Sequence, residues 1–521
     1  MPTLVDILYG ACLGAYLLAL TYVTVYCLLQ LHLLRAYLTR APRVAVPAPP
    51  QLPRVTVQLP FYNELYVAER IIDAVCAFDY PRELLQVQVL DDSTDATVEI
   101  VAARVAHWRT RGFDIEQVRR ARREGFKAGA LAEAMPAVTG EFIAIFDADF
   151  VPAPDFLRAS IPHFRDPAVG VVQSRWDHLN EDFSLITRLQ ALQLNVHFTV
   201  EQTGRRAADL FAQFNGTAGV WRKACIEAAG GWKADTLTED LDLSIRAQLA
   251  DWKITYLQDN YAPAELPVEM NAFKSQQHRW MKGGAETARK LLPSLWREPR
   301  LSLREKFHMT SHLLASSIFV FVFLIGVLSV PTALAVAHFA LPAWAFTGFL
   351  VATLAVGAVY YVGNVRASWA GLGHWRALAK FVVLFPLFLC LSMGLSLHNT
   401  AAVLQGFRGK RSPFVRTPKF AVGSGNSVKA NAYRSRKLKW TTIGEGVLAV
   451  VFASAVVWGL HSGNTFFTAF HVMLAVGYCS IFLITLRHTY APESIAPPSP
   501  PAPLRPQPRP SARPERVLTP A

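Results

Sequence analysis

Formal charge all but vanishes from several long stretches of this chain and is plentiful between them. Residues 7–34 carry no acidic or basic side chain apart from His32. Further apolar spans lie near 312–337, 342–365, 378–404, 441–460 and 465–486. About 20 apolar residues suffice to cross a bilayer as a helix. Residues 51–300 instead mix charged, polar and apolar residues as a soluble α/β protein does. The contrast predicts a multi-pass membrane protein with one globular domain between its membrane segments. Residues 7–34 exceed a signal-peptide core and lack a clear small-residue cleavage site.

The 521 residues carry a net charge of +13. The basic residues cluster beside the apolar spans: Arg35, Arg40 and Arg43 after the first, then Arg408, Lys410, Arg411, Arg416, Lys419 and the bases up to Lys439. That is the pattern of cytoplasmic loops, so no nucleic-acid partner is inferred. The lipid bilayer is the partner implied. The same rule puts the N-terminus outside and residues 51–300 in the cytoplasm. Counting every span as a crossing would leave the basic 406–440 loop outside. Segment 378–404, with Pro386 inside it, is therefore expected to be re-entrant or interfacial, leaving five crossings. The six cysteines form no CxxC pair and imply neither disulfides nor zinc.

The expected organisation is a transmembrane helix over 1–40, a linker over 41–53 with five prolines, and a catalytic α/β domain over 54–265. Amphipathic interface helices follow over 266–310, then a membrane region over 311–490 and a disordered Pro-rich tail over 491–521. Within the α/β domain, strands are read at 55–59, 87–90, 142–146 and 169–173. Helices are read at 67–78, 96–110 and 154–164. This rhythm predicts a mainly parallel, Rossmann-like sheet with helices on both faces. Ligands of such sheets bind beyond the carboxyl ends of the strands.

Polar clusters sit at those ends. Pro60-Phe61-Tyr62-Asn63-Glu64 follows the first strand and Asp91-Asp92-Ser93 the second. Asp147-Ala148-Asp149 follows 142–146. On an extended chain Asp147 and Asp149 point the same way and would hold one hard divalent cation. An acidic turn explains them as well. Asp91 and Asp92 suit hydrogen bonds to a nucleoside; helix capping is the other reading for Asp92 and Ser93. Lys127 opens a helix whose N–H groups suit a diphosphate; a solvated surface lysine is the other reading. Phe214-Asn215-Gly216-Thr217 is a polar break that would line a pocket or make a plain turn. Thr238-Glu239-Asp240 starts a helix, and Asp240 is a candidate general base. Gln276, Arg279 and Trp280 share one helix face and suit a sugar diphosphate or a membrane-interface belt. Gln173-Ser174-Arg175-Trp176 is similar in composition but not in spacing and is set aside.

Taken in order, these motifs resemble family 2 inverting glycosyltransferases of the cellulose and hyaluronan synthase type. The likeness is nearest to the plant cellulose-synthase-like A and C proteins and their bacterial relatives, which make β-mannan or β-glucan backbones. Residues 190–202, 214–221 and Gln276-Gln277-His278-Arg279-Trp280 look like theirs. The resemblance implies a GT-A fold, a nucleotide-sugar donor (UDP-glucose or GDP-mannose), a glycan or lipid acceptor, and Mg²⁺ or Mn²⁺. It assigns Asp149, with Asp147, to the metal. Asn63, Glu64, Asp91, Asp92, Lys127, Asp147, Gln276 and Arg279 fall to the donor. Asn215, Gly216, Glu239 and Trp280 fall to the acceptor, and Asp240 is the base. Phe414-Val415-Arg416-Thr417-Pro418-Lys419 resembles the F-x-V-T-x-K gating loop of cellulose synthases, except that Arg416 replaces the Val. It places Thr417 and Lys419 near the donor. It also implies a bacterial inner membrane with the catalytic domain in the cytoplasm. A non-processive glycosyltransferase acting on a lipid is the alternative.

Overall fold

The computed structural model describes residues 3–41, 46–342, 346, 350–410, 416–419, 421 and 438–490. The tail 491–521, Phe414 and Val415, and most of the 406–440 loop lie outside them.

Seven strands form one sheet: β1 (Val55–Phe61), β2 (Leu85–Asp91), β3 (Asp114–Val118), β4 (Phe142–Ile145), β5 (Val169–His178), β6 (Gly219–Arg222) and β7 (Lys253–Ala264). Their order is β3-β2-β1-β4-β6-β5-β7. All neighbours are parallel except β6, which runs antiparallel to β4 and β5. This is the mixed, mostly parallel sheet of the GT-A class. Sequence alternation sets the register of its centre. Val55, Val57 and Leu59 of β1 are fully buried on one face; each such side chain contributes about 1.5–3 kcal/mol. On the other face Thr56 donates to Gln86 at 2.7 Å and Gln58 to Gln88 at 3.1 Å. A one-residue slip would exchange the two faces and strand these polar groups against the apolar layer.

Helices α2 (Ala68–Cys76), α3 (Thr97–Arg109), α4 (Phe126–Ala134), α5 (Phe156–Ser160), α6 (Leu185–Val196), α7 (Gln202–Ala207), α8 (Lys223–Ala228) and α9 (Glu239–Leu249) complete the domain; α1 (Leu4–Leu38) precedes it. A π-helical turn over His197–Glu201 joins α6 to α7. From β1 the chain passes to β2 on one side, and β4 lies on the other. A crevice therefore opens beyond the carboxyl ends of β1 and β4, where strand order reverses.

Two helices, α10 (Met270–Arg297) and α11 (Leu303–Leu313), lead out of the domain. Then come α12 (Ile318–His338), α13 (Leu350–Tyr361), α14 (His374–Gly394), α15 (Ser396–Phe407), α16 (Trp440–His461) and α17 (Thr468–Tyr490). Among the described residues, six helical segments are long and apolar enough to cross a membrane: Leu4–Leu38, Ala315–His338, Leu350–Ser368, His374–Gly394, Trp440–His461 and Thr468–Tyr490. This is a multi-pass membrane protein. Segment 378–404 divides into α14 and α15. At the α14–α17 crossing, Gly394 and Gly477 approach so closely that a Cβ on either would strike backbone of the other helix. Small residues let membrane helices meet in this way.

Candidate active site

The crevice is lined by all three strand-end clusters, by Asp240, and by Gln276, Arg279 and Trp280 of α10. Asn215, Gly216, Glu239, Thr417 and Lys419 complete much of the wall. Of the residues read as donor-binding, Asn63 and Asp91 do not line it.

The acidic pair differs from the sequence reading in one respect. Strand β4 stops at Ile145, and Phe150 N–H donates to Asp147 C=O at 3.1 Å. Asp147 and Asp149 therefore lie in a turn, not on extended chain, and face different cations. Lys127 Nζ is 2.5 Å from Asp147 Oδ1 and donates to Gly216 C=O at 2.8 Å. Lys419 Nζ is 2.6 Å from Asp149 Oδ2. Burial works against the Lys127 charge, but Asp147 and Glu239 outweigh it and raise its pKa. Among the described residues, no group of three or more His, Cys, Asp or Glu is placed to hold a metal. Two hard carboxylates still fit Mg²⁺ or Mn²⁺, which completes its shell from substrate phosphates rather than from a protein cage. The cationic partners that both carboxylates already have show that positive charge is accepted there.

The Asp91-Asp92-Ser93 cluster is not a helix cap. Asp91 is buried, accepting from Ser93 N–H at 2.9 Å and from Gln117 at 2.7 Å. Ser93 Oγ accepts from Asn63 N–H at 2.8 Å, and Asn63 Oδ1 accepts from Thr94 N–H at 2.8 Å. Asn63 holds a positive φ of 57°, a conformation Asn tolerates better than most residues. These bonds stitch the β1 and β2 ends together. Asp92 sits in the fork of Arg120, with contacts of 3.0 and 2.5 Å. Arg120 was not singled out in the sequence; its signal was the basic run 119–123 ahead of Lys127.

Asp240 is the second residue of α9. Burial, with the neighbouring Glu239 charge, pushes its pKa up to about 7. Glu239 is raised as well, by burial, with Lys127 opposing. Gly216, at φ 81°, lets the backbone pass close to the base: a Cβ there would lie 3.1 Å from Asp240 Oδ2. Thr238 makes no capping bond and meets Thr287 at 3.0 Å instead. Arg279 faces Asp147, Glu239 and Asp240; burial lowers its pKa and these charges oppose that.

Asn215 is fixed from below. His197 Nε2 contacts its Oδ1 at 3.0 Å, and Gln173 Oε1 accepts from its N–H at 2.9 Å. Trp176 lines the crevice and stacks on Phe198 at 4.9 Å. Gln173 and Trp176 belong to the segment set aside on spacing, and they support the site after all. Glu64 is held by the Arg416 fork at 2.8 and 2.5 Å. Thr417 is buried, and its hydroxyl has no hydrogen-bond partner among the described residues.

The model "Glycosyltransferase like family 2" matches residues 53–283. Glucomannan 4-beta-mannosyltransferase 1 of Oryza sativa subsp. japonica is 37% identical over 418 residues, 77% of each chain. The chain belongs to glycosyltransferase family 2. Glucomannan 4-beta-mannosyltransferase 2 of Arabidopsis thaliana is 36% identical, over 80% of this chain and 78% of its own. A solved mannosyltransferase from Pyrobaculum calidifontis, in complex with GDP-Man and Mn²⁺, covers 78% of this chain and 100% of its own. It matches at 22% identity and a TM-score of 0.47. This family 2 enzyme is a hexosyltransferase whose relatives are the mannan-synthase branch of the cellulose-synthase-like proteins. Those relatives are plant proteins and lend no support to a bacterial inner membrane.

Proposed function

We propose that this enzyme transfers mannosyl units from GDP-mannose, with inversion, to a growing β-linked glycan. The position of Asp240 carries the proposal: a carboxylate with a raised pKa, on the wall that also bears Asp147, Asp149 and Arg279. Asp240 takes the proton of the acceptor hydroxyl as its oxygen attacks the anomeric carbon in line. Lys127 and Arg279 balance the charge of the departing diphosphate. Asp149, with Asp147, would hold Mg²⁺ or Mn²⁺, which supplies further charge neutralisation at the diphosphate. Trp280 offers an indole to the apolar face of the acceptor sugar, and Gln276 lies one turn before it. The mannosyl choice follows the names of the relatives.

The proposed topology has five crossings with the catalytic domain cytoplasmic. Two contacts support it. Near the start of α14, Lys380 pairs with Glu181 of the domain at 2.6 Å. In α15, Gln405 meets His278 of α10 at 3.3 Å. The chain thus enters and leaves α14–α15 on the domain's side. Segment 416–419 reaches Glu64 and Asp149, which keeps that loop on the same side.

The test is purified full-length protein with GDP-mannose and UDP-glucose, followed by product sizing and linkage analysis. A β-linked mannan from GDP-mannose is expected. Glycolipid as the sole product, or polymer from UDP-glucose alone, overturns the reading.

A further inference from the structure

Asn215 is gripped by a pair of side chains that have no part in the transfer chemistry. His197 and Glu201 open and close the π-helical turn between α6 and α7. Such turns occur frequently at functional sites. His197 Nδ1 lies 2.8 Å from Glu201 Oε2, and its Nε2 lies 3.0 Å from Asn215 Oδ1. The turn is itself clamped against the end of the Leu350–Ser368 span. Asn195 donates to Asn364 there at 3.1 Å, and a Cβ on Gly363 would lie 3.0 Å from Val196 Cγ2.

The donors fix how the Asn215 amide is turned. A carboxylate only accepts, so Nδ1 of His197 carries a proton toward Glu201. Asn215 Oδ1 accepts from Gln213 Nε2 at 2.9 Å and also meets His197 Nε2. Two N–H donors thus hold Oδ1 away from the crevice. A ring that donates from both nitrogens is charged, and Glu201 supplies the countercharge. Burial works against the Glu201 carboxylate, but its hydrogen bond to His197 outweighs that and lowers its pKa. Asn215 Nδ2 has only one long contact among the described residues, 3.5 Å to Gln213 C=O. At least one of its N–H bonds is left for a ligand in the crevice that Asn215 lines. The next residue, Gly216, passes against Asp240 Oδ2, so an oxygen held by this amide is held beside the base.

We infer that His197, backed by Glu201, is a positioning residue: it turns the Asn215 amide so that an N–H faces a hydroxyl oxygen of the acceptor sugar. This role presumes the sugar transfer proposed above and deepens it at the acceptor.

Two polar substitutions separate the two ends of the ring. Asparagine imitates Nδ1 and stops short of Asn215, whereas glutamine reaches as far as Nε2. The experiment follows GDP release and mannose incorporation from GDP-mannose by the full-length protein at increasing β-1,4-mannotetraose, with GDP binding read by calorimetry. His197→Asn should raise the acceptor KM about tenfold, the scale of one hydrogen bond, and leave GDP affinity unchanged. A badly held acceptor also loses mannose to water, so mannose incorporated per GDP released should fall. His197→Gln should restore both readouts to within about twofold of the unmodified protein. Asn215→Leu should match His197→Asn, and combining the two should add nothing, because the ring acts through the amide. Both readouts unmoved in His197→Asn overturn the inference. Equal effects of asparagine and glutamine, or additive effects of His197→Asn and Asn215→Leu, overturn it as well and leave the proposed function standing. Unmodified protein that consumes no GDP-mannose overturns the proposed function, and this role with it.

Discussion

Lys419 Nζ lies 2.6 Å from Asp149 Oδ2, and the two side chains are 12% and 8% exposed. Three residues earlier, the Arg416 fork grips Glu64. A four-residue segment is thereby fastened across the donor crevice at both ends. Burial raises the Glu64 pKa, with Arg416 opposing, so the carboxylate relies on its partner to stay charged.

The first prediction concerns competition at Asp149. An ammonium and a divalent cation cannot share one carboxylate oxygen at bonding distance. Lys419→Met should therefore tighten Mn²⁺ binding in the absence of nucleotide by about tenfold, the scale of one lost charged hydrogen bond. It should also raise the donor KM, because the diphosphate loses a cation. Asp149→Ala should abolish metal-dependent donor binding. Mn²⁺ titration followed by electron paramagnetic resonance reads the first effect. Unchanged nucleotide affinity of Asp149→Ala in Mn²⁺ would refute the assignment.

Asp240 gives the pH dependence. Its pKa is raised to about 7, chiefly by burial. The base is active when deprotonated, so kcat/KM should rise through about pH 7 and level off above it. Asp240→Asn should cost several orders of magnitude in kcat and leave nucleotide binding largely intact. Stability runs the opposite way. A carboxyl whose folded pKa is raised stabilises the fold below its unfolded pKa, and that stabilisation is lost as pH rises through the folded value. Asp240→Asn should thus raise Tm at pH 8 more than at pH 5. A flat pH–rate profile, or near-normal turnover of the Asn variant, would rule out Asp240 as the base.

Much of the sheet's centre was legible because its strands alternate cleanly and break into polar clusters. Strands β3, β6 and β7 were not read. Edge strand β3 carries Asp114 and Glu116, and Glu116 accepts from Gln88 of the neighbouring strand. Strand β6 has four residues, too few to show a period. In β7 the run Gln258-Asp259-Asn260 sits at a register shift opposite Ser174 and Arg175, which disguises a 12-residue strand as a loop. The acidic site residues could be named because their motifs are local. Lys127 and Lys419 could be named for the donor, but not as the partners of Asp147 and Asp149, and Arg120 was missed: Arg120 lies 28 residues from Asp92 and Lys419 lies 270 from Asp149. Spacing does not encode pairings at such distances; only the folded chain brings them together.

Gly216 ties the acceptor loop to the base. Its φ of 81° is costly for any residue with a Cβ, by roughly 1–2 kcal/mol. That Cβ would also press on Asp240 Oδ2. Gly216→Ala should cut kcat at least about tenfold, since a small misplacement of the base is expensive. GDP affinity should change little. Steady-state kinetics beside calorimetry separates the two. A parallel loss of GDP binding would show that the loop serves the donor instead.

The last prediction concerns how α10, which carries Gln276, Arg279 and Trp280, is anchored to the membrane helices. Lys274 Nζ lies 2.5 Å from Glu445 Oε2 of α16, and the side chains are 2% and 0% exposed. Thr442 is a second partner of the ammonium at 3.4 Å, and His398 of α15 contacts the Lys274 carbonyl at 2.9 Å. Removing one member of a buried pair leaves an uncompensated charge and costs about 3–5 kcal/mol, whereas an apolar pair of similar volume is often neutral. Lys274→Met and Glu445→Leu should each lower Tm in detergent by several degrees, and the double variant should recover most of the loss. If the pair also sets the pitch of α10 into the crevice, the double variant should be stable yet reduced in kcat, because Lys274 lies two residues before Gln276. A double variant with full stability and full activity would confine the pair to packing. Failure to recover stability would show that Thr442 and His398 couple to the charges more strongly than the charges do to each other.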